Sequence, residues 1–391
     1  MSARTDTWAI IAGGGTAGHV TPGLSIAREI QRRGVLPEQI KWVGSQRGIE
    51  VRLVPEAGFP LELLPGRGIQ RRLTRANVGA VIGLVRAIFR ALILVRRARP
   101  SIVIGLGGYA SVPCILAAVI WRIPIVVAEQ NAVPGAANRL AARFAKACAL
   151  SFADTDLQNG TWTGNPVSPE ILAVDRLVDR ASARGRLGIE DDRLLLAVFG
   201  GSLGARRINN ALIDALGEWR DCSTLAVRLV GGSRDHADLA NRNPISERDT
   251  VQFTLVEYED DMPSVYAAAD LVVCRAGASS VAEIAAIGVP AVLVPLPGAP
   301  GDHQTANARA VEEKGAGWLI PQAGFTPETL TMRLESFVNL QNLLTDAARA
   351  AHGFGGQNAA AALADQAERL MGITRNGGSG AGTAAVREIA A

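Results

Sequence analysis

WAIIAGGGTAGHVTPG, residues 8–23, decides how the chain is read. A five-residue apolar run meets three glycines at once, and a helical pattern follows. Short strands that are apolar throughout are buried on both faces, as in parallel sheets covered by helices. The same grammar recurs. Apolar runs at 40–44, 102–106 and 123–128 alternate with helical patterns at 23–33, 111–121 and 136–147. The pattern restarts at 194–199, which leads into Gly200-Gly-Ser-Leu-Gly-Ala205. Further runs follow at 225–230, 251–254, 271–274 and 291–294, with a helical pattern at 207–216. This predicts an α/β chain of two Rossmann-like, doubly wound parallel-sheet domains facing a central cleft. Gly164-Asn-Pro166 places the linker near 165–170.

Composition narrows the function. The 391 residues suffice for more than one core. A surplus of 40 Lys and Arg over 37 Asp and Glu is too small to signal a nucleic-acid binder. Cys114, Cys148, Cys222 and Cys274 lie far apart, with no Cys-x-x-Cys and no nearby histidine pair. Neither a disulfide framework nor a zinc site is signalled, and a reducing compartment is expected. The first apolar run is too short for a secretory signal peptide.

Two segments bear on membranes. Residues 102–121 carry no charge, but Gly105, Gly107, Gly108 and Pro113 interrupt them. A strand, a glycine turn and a buried helix explain them better than a span, because irregular backbone is not tolerated against lipid. Residues 77–95 read NVGAVIGLVRAIFRALILV, with Arg96, Arg97 and Arg99 following. Val81, Leu84, Val85, Ile88, Leu92 and Val95 recur at helical spacing. This stripe either packs on a sheet or touches an anionic membrane, with Arg67, Arg71, Arg72 and Arg75 adding charge upstream.

The chemistry gathers at strand ends. Gly13, Gly15 and Gly18 satisfy G-x-G-x-x-G, and a helix N-terminus behind such a turn favours an anion. The acid that a dinucleotide site needs after the second strand is absent; Gly44-Ser-Gln-Arg47 stands there. His19 follows the glycines directly and is a candidate general base. Gly105–Tyr109 and Glu129-Gln-Asn131 follow further strands and line the same cleft. In the second half, Arg275-Ala-Gly-Ala-Ser-Ser280 opens a helix suited to a diphosphate, and Glu283 could bridge ribose hydroxyls. Asp302-His-Gln-Thr-Ala-Asn307 offers amide and carboxylate groups for sugar hydroxyls, or a helix cap at Asp302.

GGGTAGHVTPGLSIA, GLGGYASVP, EQNAVPG, GNPV, FGGSLGA, AGASSVAEIAAIGVPAVLVPLP and DHQTANA resemble, in order and spacing, the MurG family. These are the UDP-N-acetylglucosamine:lipid I N-acetylglucosaminyltransferases of bacterial peptidoglycan synthesis. The resemblance, from residue 8 to residue 371, implies a GT-B fold. It implies an acceptor domain at 1–167, a donor domain at 168–352, a helix at 353–371 returning to the first domain, and a tail at 372–391. It implies inverting transfer of GlcNAc to the MurNAc C4 hydroxyl of lipid I, giving lipid II.

By this resemblance Thr16, Ala17, Gly18, Asn131, Ser202, Arg275, Ala278, Glu283, Gln304 and Asn307 bind the donor. Gly14, Gly15, Gly107, Gly108, Tyr109 and Glu129 face the acceptor, and His19 is the base. No metal and no cofactor are expected. The implied partners are UDP-GlcNAc, lipid I, an anionic membrane surface and cell-wall synthesis or division proteins. The implied place is the cytoplasmic face of the cell membrane, as a peripheral protein. Two positions depart from the family: Ser168 follows GNPV where arginine is frequent, and His303 stands where some members carry glutamine. Competing readings are an epimerase or another lipid's transferase on the same fold, an NAD(P) oxidoreductase, and a nucleotide-binding scaffold.

Overall fold

A computed structural model of the chain describes residues 7–66, 76–201, 204–354 and 356–373. The first sheet contains β1 (Ala9–Gly13), β2 (Ile40–Ser45), β3 (Leu61–Leu64), β4 (Ile102–Gly107), β5 (Ile125–Glu129), β6 (Ala147–Leu150) and β7 (Gly160–Trp162). Their order is β3-β2-β1-β4-β5-β6-β7. The second contains β8 (Leu194–Phe199), β9 (Leu225–Val230), β10 (Gln252–Val256), β11 (Leu271–Cys274), β12 (Ala291–Leu293) and β13 (Gly317–Leu319). Their order is β10-β9-β8-β11-β12-β13. All pairings are parallel. Each sheet reverses its winding beside its first strand, at β1/β4 and at β8/β11, where open α/β sheets hold ligands. The predicted glycine turns all sit at these two switch points.

Four strands escape the apolar-run reading for local reasons. β3 is only partly buried, and β7 is an exposed three-residue edge. β13 is another three-residue strand. β6 hides in the Ala-rich stretch read as helix to 147: that helix spans Ala136–Ala142, and Ala147 already begins β6.

The linker belongs to the second domain's interior. Val167 and Ile171 are buried in a core cluster with Val272, Val281 and Ile284. Ser168, at the family's arginine position, caps the short helix Pro169–Leu172, its Oγ accepting from Ile171 N at 3.4 Å. Glu170 on that helix pairs with Arg28 of the first domain at 2.9 Å. The chain returns through Gly356, packed so tightly on the outgoing segment that a Cβ there would lie 2.4 Å from Thr163 O. The last helix, Ala359–Leu370, then buries Leu363, Ala364 and Ala367 among Val20, Ile26 and Ile30 of the first domain. Arg33 clamps it through Asp365 at 2.7 Å and Glu368 at 2.8 Å. The tail beyond residue 373 lies outside the described residues.

The helix over 77–95 spans Ala76–Ala98, and its fully buried face shares only Val95 with the stripe read from the sequence. Gly83, Ala87, Ala91 and Val95 face inward at four-residue spacing. The helix packs against the helix Ser111–Ile120, and Gly83 lies on the segment after β3, where a Cβ would stand 3.0 Å from Gly66 Cα. Val81 and Val85 of the stripe read from the sequence do not pack on a sheet but point outward with Ile82, Phe89 and Ile93; Phe89 is 63% exposed. Arg86, Arg90, Arg96 and Arg97 stand among them, and Arg96 stacks on Trp121 at 4.7 Å. Arg67, Arg71, Arg72 and Arg75 lie outside the described residues. Among the described residues, no helix is long and apolar enough to cross a membrane.

Candidate active site

The first-domain turns form one surface. Gly15 has φ +94° and Gly108 has φ +76°, which L side chains rarely adopt. A Cβ on Gly108 would lie 2.8 Å from Gly14 O, and one on Gly107 would lie 3.2 Å from His19 Nε2. Only glycines let the two turns touch. Thr16 is the N-cap of the helix Ala17–Arg32 but makes no side-chain cap. Its Oγ1 instead meets His19 Nδ1 at 3.2 Å. With the cap unused, the amides of Ala17 and Gly18 open the helix before intrahelical partners exist. Burial lowers the His19 pKa from its ordinary value; Glu129 opposes this, His303 adds to it, and Glu50 and a backbone hydrogen bond at Gly14 oppose it. The imidazole is therefore neutral near pH 7 and has a lone pair to take a proton.

Two predicted acceptor-side groups are already engaged. Tyr109 donates its hydroxyl to Pro65 O at 2.8 Å, so it anchors the segment after β3 instead of opening to the cleft. Glu129 is buried, and its Oε1 accepts from Asn131 N at 2.9 Å. Its Oε2 accepts from Gly135 N at 3.0 Å and from Asn138 Nδ2 at 2.9 Å. Its carboxylate shapes the loop that carries Asn131 and reaches His19 only through its field.

Asn131 meets the second domain. Asn307 is 0% exposed. It accepts from Ala132 N at 2.9 Å and donates to Asn131 Oδ1 at 3.2 Å and Ala276 O at 3.1 Å. Predicted to read sugar hydroxyls, Asn307 here ties the two domains together across the cleft. Gln304 keeps its neighbour's loop in place, accepting from Leu296 N at 2.9 Å. His303 opens the helix His303–Glu313, with Nδ1 2.8 Å from Pro300 O, and acts electrostatically on His19 from the opposite domain. Asp302 makes no side-chain cap to that helix; its Oδ1 accepts from Thr305 Oγ1 at 2.8 Å.

On the donor side, the helix Ala278–Ile287 follows β11 with Gly277 as its N-cap, which has no side chain to cap the first amides. Such an end attracts an anion. The Ala278 carbonyl accepts from Asn165 Nδ2 of the linker at 3.2 Å. Arg275 is more committed than predicted. It donates to Val294 O and Pro295 O, both at 3.1 Å, and to Gln322 Oε1 at 2.6 Å, bracing the turn after β12. Arg275 lies three residues before the first helical residue, Ala278. Glu283, five positions into the helix, accepts at Oε2 from the fully buried Tyr266 hydroxyl at 2.7 Å. Burial pushes its pKa up to about 7, against the Tyr266 hydrogen bond. The turn after β8 keeps Gly204 at φ +76°, where a Cβ would strike Gly231 O. Ser202 lies outside the described residues.

Tyr266, Gln322, Asn138 and Glu50 were not singled out in the sequence. Tyr266 sits among apolar residues of a helix and reads as core, while Gln322 lies 47 residues from the arginine it holds. Glu50 alone had a signal: glycines at 14, 44 and 48 all clear space for one side chain.

Comparison with known proteins agrees with this architecture. The glycosyltransferase family 28 N-terminal domain matches residues 9–150, and the family's C-terminal domain matches residues 195–367. The UDP-N-acetylglucosamine–N-acetylmuramyl-(pentapeptide) pyrophosphoryl-undecaprenol N-acetylglucosamine transferase of a Nocardioides species is 42% identical, covering 95% of this chain and 98% of that one. The crystal structure of Acinetobacter baumannii MurG superposes with a TM-score of 0.73 at 30% identity, covering 93% of this chain and 99% of that one. A Neisseria meningitidis UDP-GlcNAc 2-epimerase, solved with UDP-GlcNAc bound, covers 92% of this chain and 100% of its own. At 13% identity and a TM-score of 0.64 it shares the fold alone. By its two matched domains and its identity to full-length relatives, the chain belongs to the MurG family of glycosyltransferases.

Proposed function

We infer that this chain transfers GlcNAc from UDP-GlcNAc to the MurNAc C4 hydroxyl of lipid I, with inversion, releasing UDP. The observation that carries the reading is the pairing of His19, kept neutral by burial among the acceptor-side glycines, with an uncapped donor-side helix end across a cleft bridged by Asn307. The acceptor hydroxyl loses its proton to His19 as its oxygen attacks the sugar's anomeric carbon. The bond to the diphosphate breaks on the opposite face, and its electron pair leaves with UDP. The amides at Ala278 and the charge of Arg275 meet the growing negative charge. The Oε1 of Glu283, the oxygen not bonded to Tyr266, suits the ribose.

We also propose that turnover needs no divalent metal, since helix amides and a guanidinium supply the electrostatics. UDP release from UDP-GlcNAc is expected to depend on a lipid I analogue and to persist in EDTA. Recovery only on adding magnesium would keep the transferase and overturn the metal proposal.

The outward apolar face of the helix Ala76–Ala98, set among arginines, supports docking to an anionic bilayer at the cytoplasmic face. Phe89→Glu is expected to cut binding to phosphatidylglycerol vesicles about tenfold or more, losing roughly 1.5–3 kcal/mol of apolar burial and adding repulsion. Unchanged sedimentation with vesicles would remove this face from membrane contact. Cell-wall synthesis or division proteins remain expected partners from the family resemblance.

A further inference from the structure

Glu50 opens the short helix Glu50–Glu56 after β2, yet its side chain turns back beneath the first glycine turn. It is 0% exposed. Oε2 accepts from Gly15 N at 2.8 Å, and Oε1 accepts from both Ser45 N and Ser45 Oγ at 2.8 Å. The groups satisfying this carboxylate are amides and a hydroxyl, not a guanidinium or ammonium. The backbone is cleared to receive it. A Cβ on Gly14, Gly44 or Gly48 would lie 2.3, 2.6 or 1.8 Å from its atoms. Burying a charge is costly unless it is well hydrogen-bonded, so a carboxylate seated among three glycines has a specific task.

Gly15 directly precedes Thr16, whose hydroxyl meets His19. We propose that Glu50 is a positioning residue of the transfer reaction: by fixing the Gly15 amide inward, it sets the turn from which Thr16 and His19 address the acceptor. The proposal rests on the transferase reading above. Glutamine in its place can accept at one end only; its amide nitrogen would face either the Gly15 or the Ser45 N–H, donor against donor. The glycine turn would then shift, and small misplacements of a reacting group are kinetically severe.

The charge of Glu50 also reaches His19. The other groups that bear on this imidazole are Glu129 and Gly14 of its own domain and His303 of the other. Glu50 and Glu129 favour the protonated ring, whereas His303 and burial disfavour it. Removing the Glu50 charge therefore moves the His19 titration to lower pH, a change that simple loosening of the fold does not produce.

The test is Glu50→Gln and Gly48→Ala, each in the full chain. Glu50→Gln is expected to lower kcat about tenfold or more and to change the KM for UDP-GlcNAc much less, because the groups that would hold the nucleotide, at Ala278 and Glu283, lie on the other domain. The His19 imidazole, followed by NMR and assigned with His19→Ala, is expected to titrate at lower pH than in wild type. Gly48→Ala keeps the charge but displaces the carboxylate, and is expected to reproduce the loss of kcat. It carries the test alone if Glu50→Gln does not fold. A folded Glu50→Gln with wild-type kcat and an unmoved His19 titration overturns the proposal, as does wild-type kcat in Gly48→Ala. So does a parallel loss of kcat, donor affinity and Tm with the titration unmoved. If wild type transfers nothing yet Glu50→Gln still shifts His19, the positioning of His19 stands and the transferase reading falls.

Discussion

His19→Ala is expected to lower kcat for GlcNAc transfer by about 10²–10⁴, the usual worth of a positioned general base. The KM for UDP-GlcNAc should hardly change, because the uncapped helix end and Glu283 lie on the other domain. The pH profile supplies a sharper check. Burial holds the His19 pKa below the ordinary imidazole value, so its basic form persists to lower pH than that of a free histidine. The acid limb of kcat, measured at saturating donor, should therefore fall below the ordinary imidazole range, and His19→Ala should abolish that limb. An unchanged kcat would remove His19 from the chemistry.

Glu283→Ala carries the second large effect. The variant strands the buried Tyr266 hydroxyl and removes the acceptor offered to the ribose. Leaving a buried donor unpaired costs about 1–3 kcal/mol. An equal loss on the donor raises the KM for UDP-GlcNAc about tenfold to a hundredfold.

Glu283 also predicts a pH dependence. Its folded pKa is about 7, above the ordinary value of 4.5. The group's contribution to stability is thus complete below the unfolded pKa and is lost as pH rises through about 7. Ligand affinity runs the other way. The ionised carboxylate is the better acceptor for hydroxyls, so the donor KM should rise as pH falls below about 7. Tyr266→Phe removes the hydrogen bond that favours ionisation and should move that midpoint up. Isothermal titration with UDP across pH checks both statements. A flat profile would detach Glu283 from the nucleotide.

The sheets were legible because β1, β4, β8 and β11 are short apolar runs that end in glycine turns. That pattern has few outcomes other than a doubly wound sheet. Strands β7 and β13 were not legible, since β7 is exposed and β13 only partly buried, and neither forms an apolar run like the equally short but fully buried β12. The helix Ala76–Ala98 shows a different limit. Spacing marked a stripe of large residues for a sheet or a membrane, whereas the face buried against the fold carries Gly83, Ala87, Ala91 and Val95, and only Val95 belongs to both. Large apolar residues were left outside, where a bilayer can take them.

The site was legible as a set of positions and much less so as a set of roles. Asn131 and Asn307 do meet at the cleft, and His303 of the second domain acts on His19 through its field. Whether a polar side chain faces a ligand or braces its own loop depends on tertiary partners that spacing does not reveal. Glu129 is spent on Asn138, on the helix that follows its own loop, and Tyr109 and Arg275 are spent on Pro65 and Gln322, both far along the chain. Asn307 is spent on holding the two domains together. Glu50 shows the converse: a residue outside every recognised motif lies directly beneath the turn that carries the base.

The most direct measurement incubates the full chain with UDP-GlcNAc and a lipid I analogue and identifies the products. The account predicts UDP together with an acceptor one GlcNAc heavier, joined through a β linkage at the MurNAc C4 oxygen, as inversion of the α-linked donor requires. UDP-ManNAc formed without acceptor would identify the fold's epimerase chemistry instead. UDP-GlcNAc binding with no change in either substrate would contradict the transferase outright.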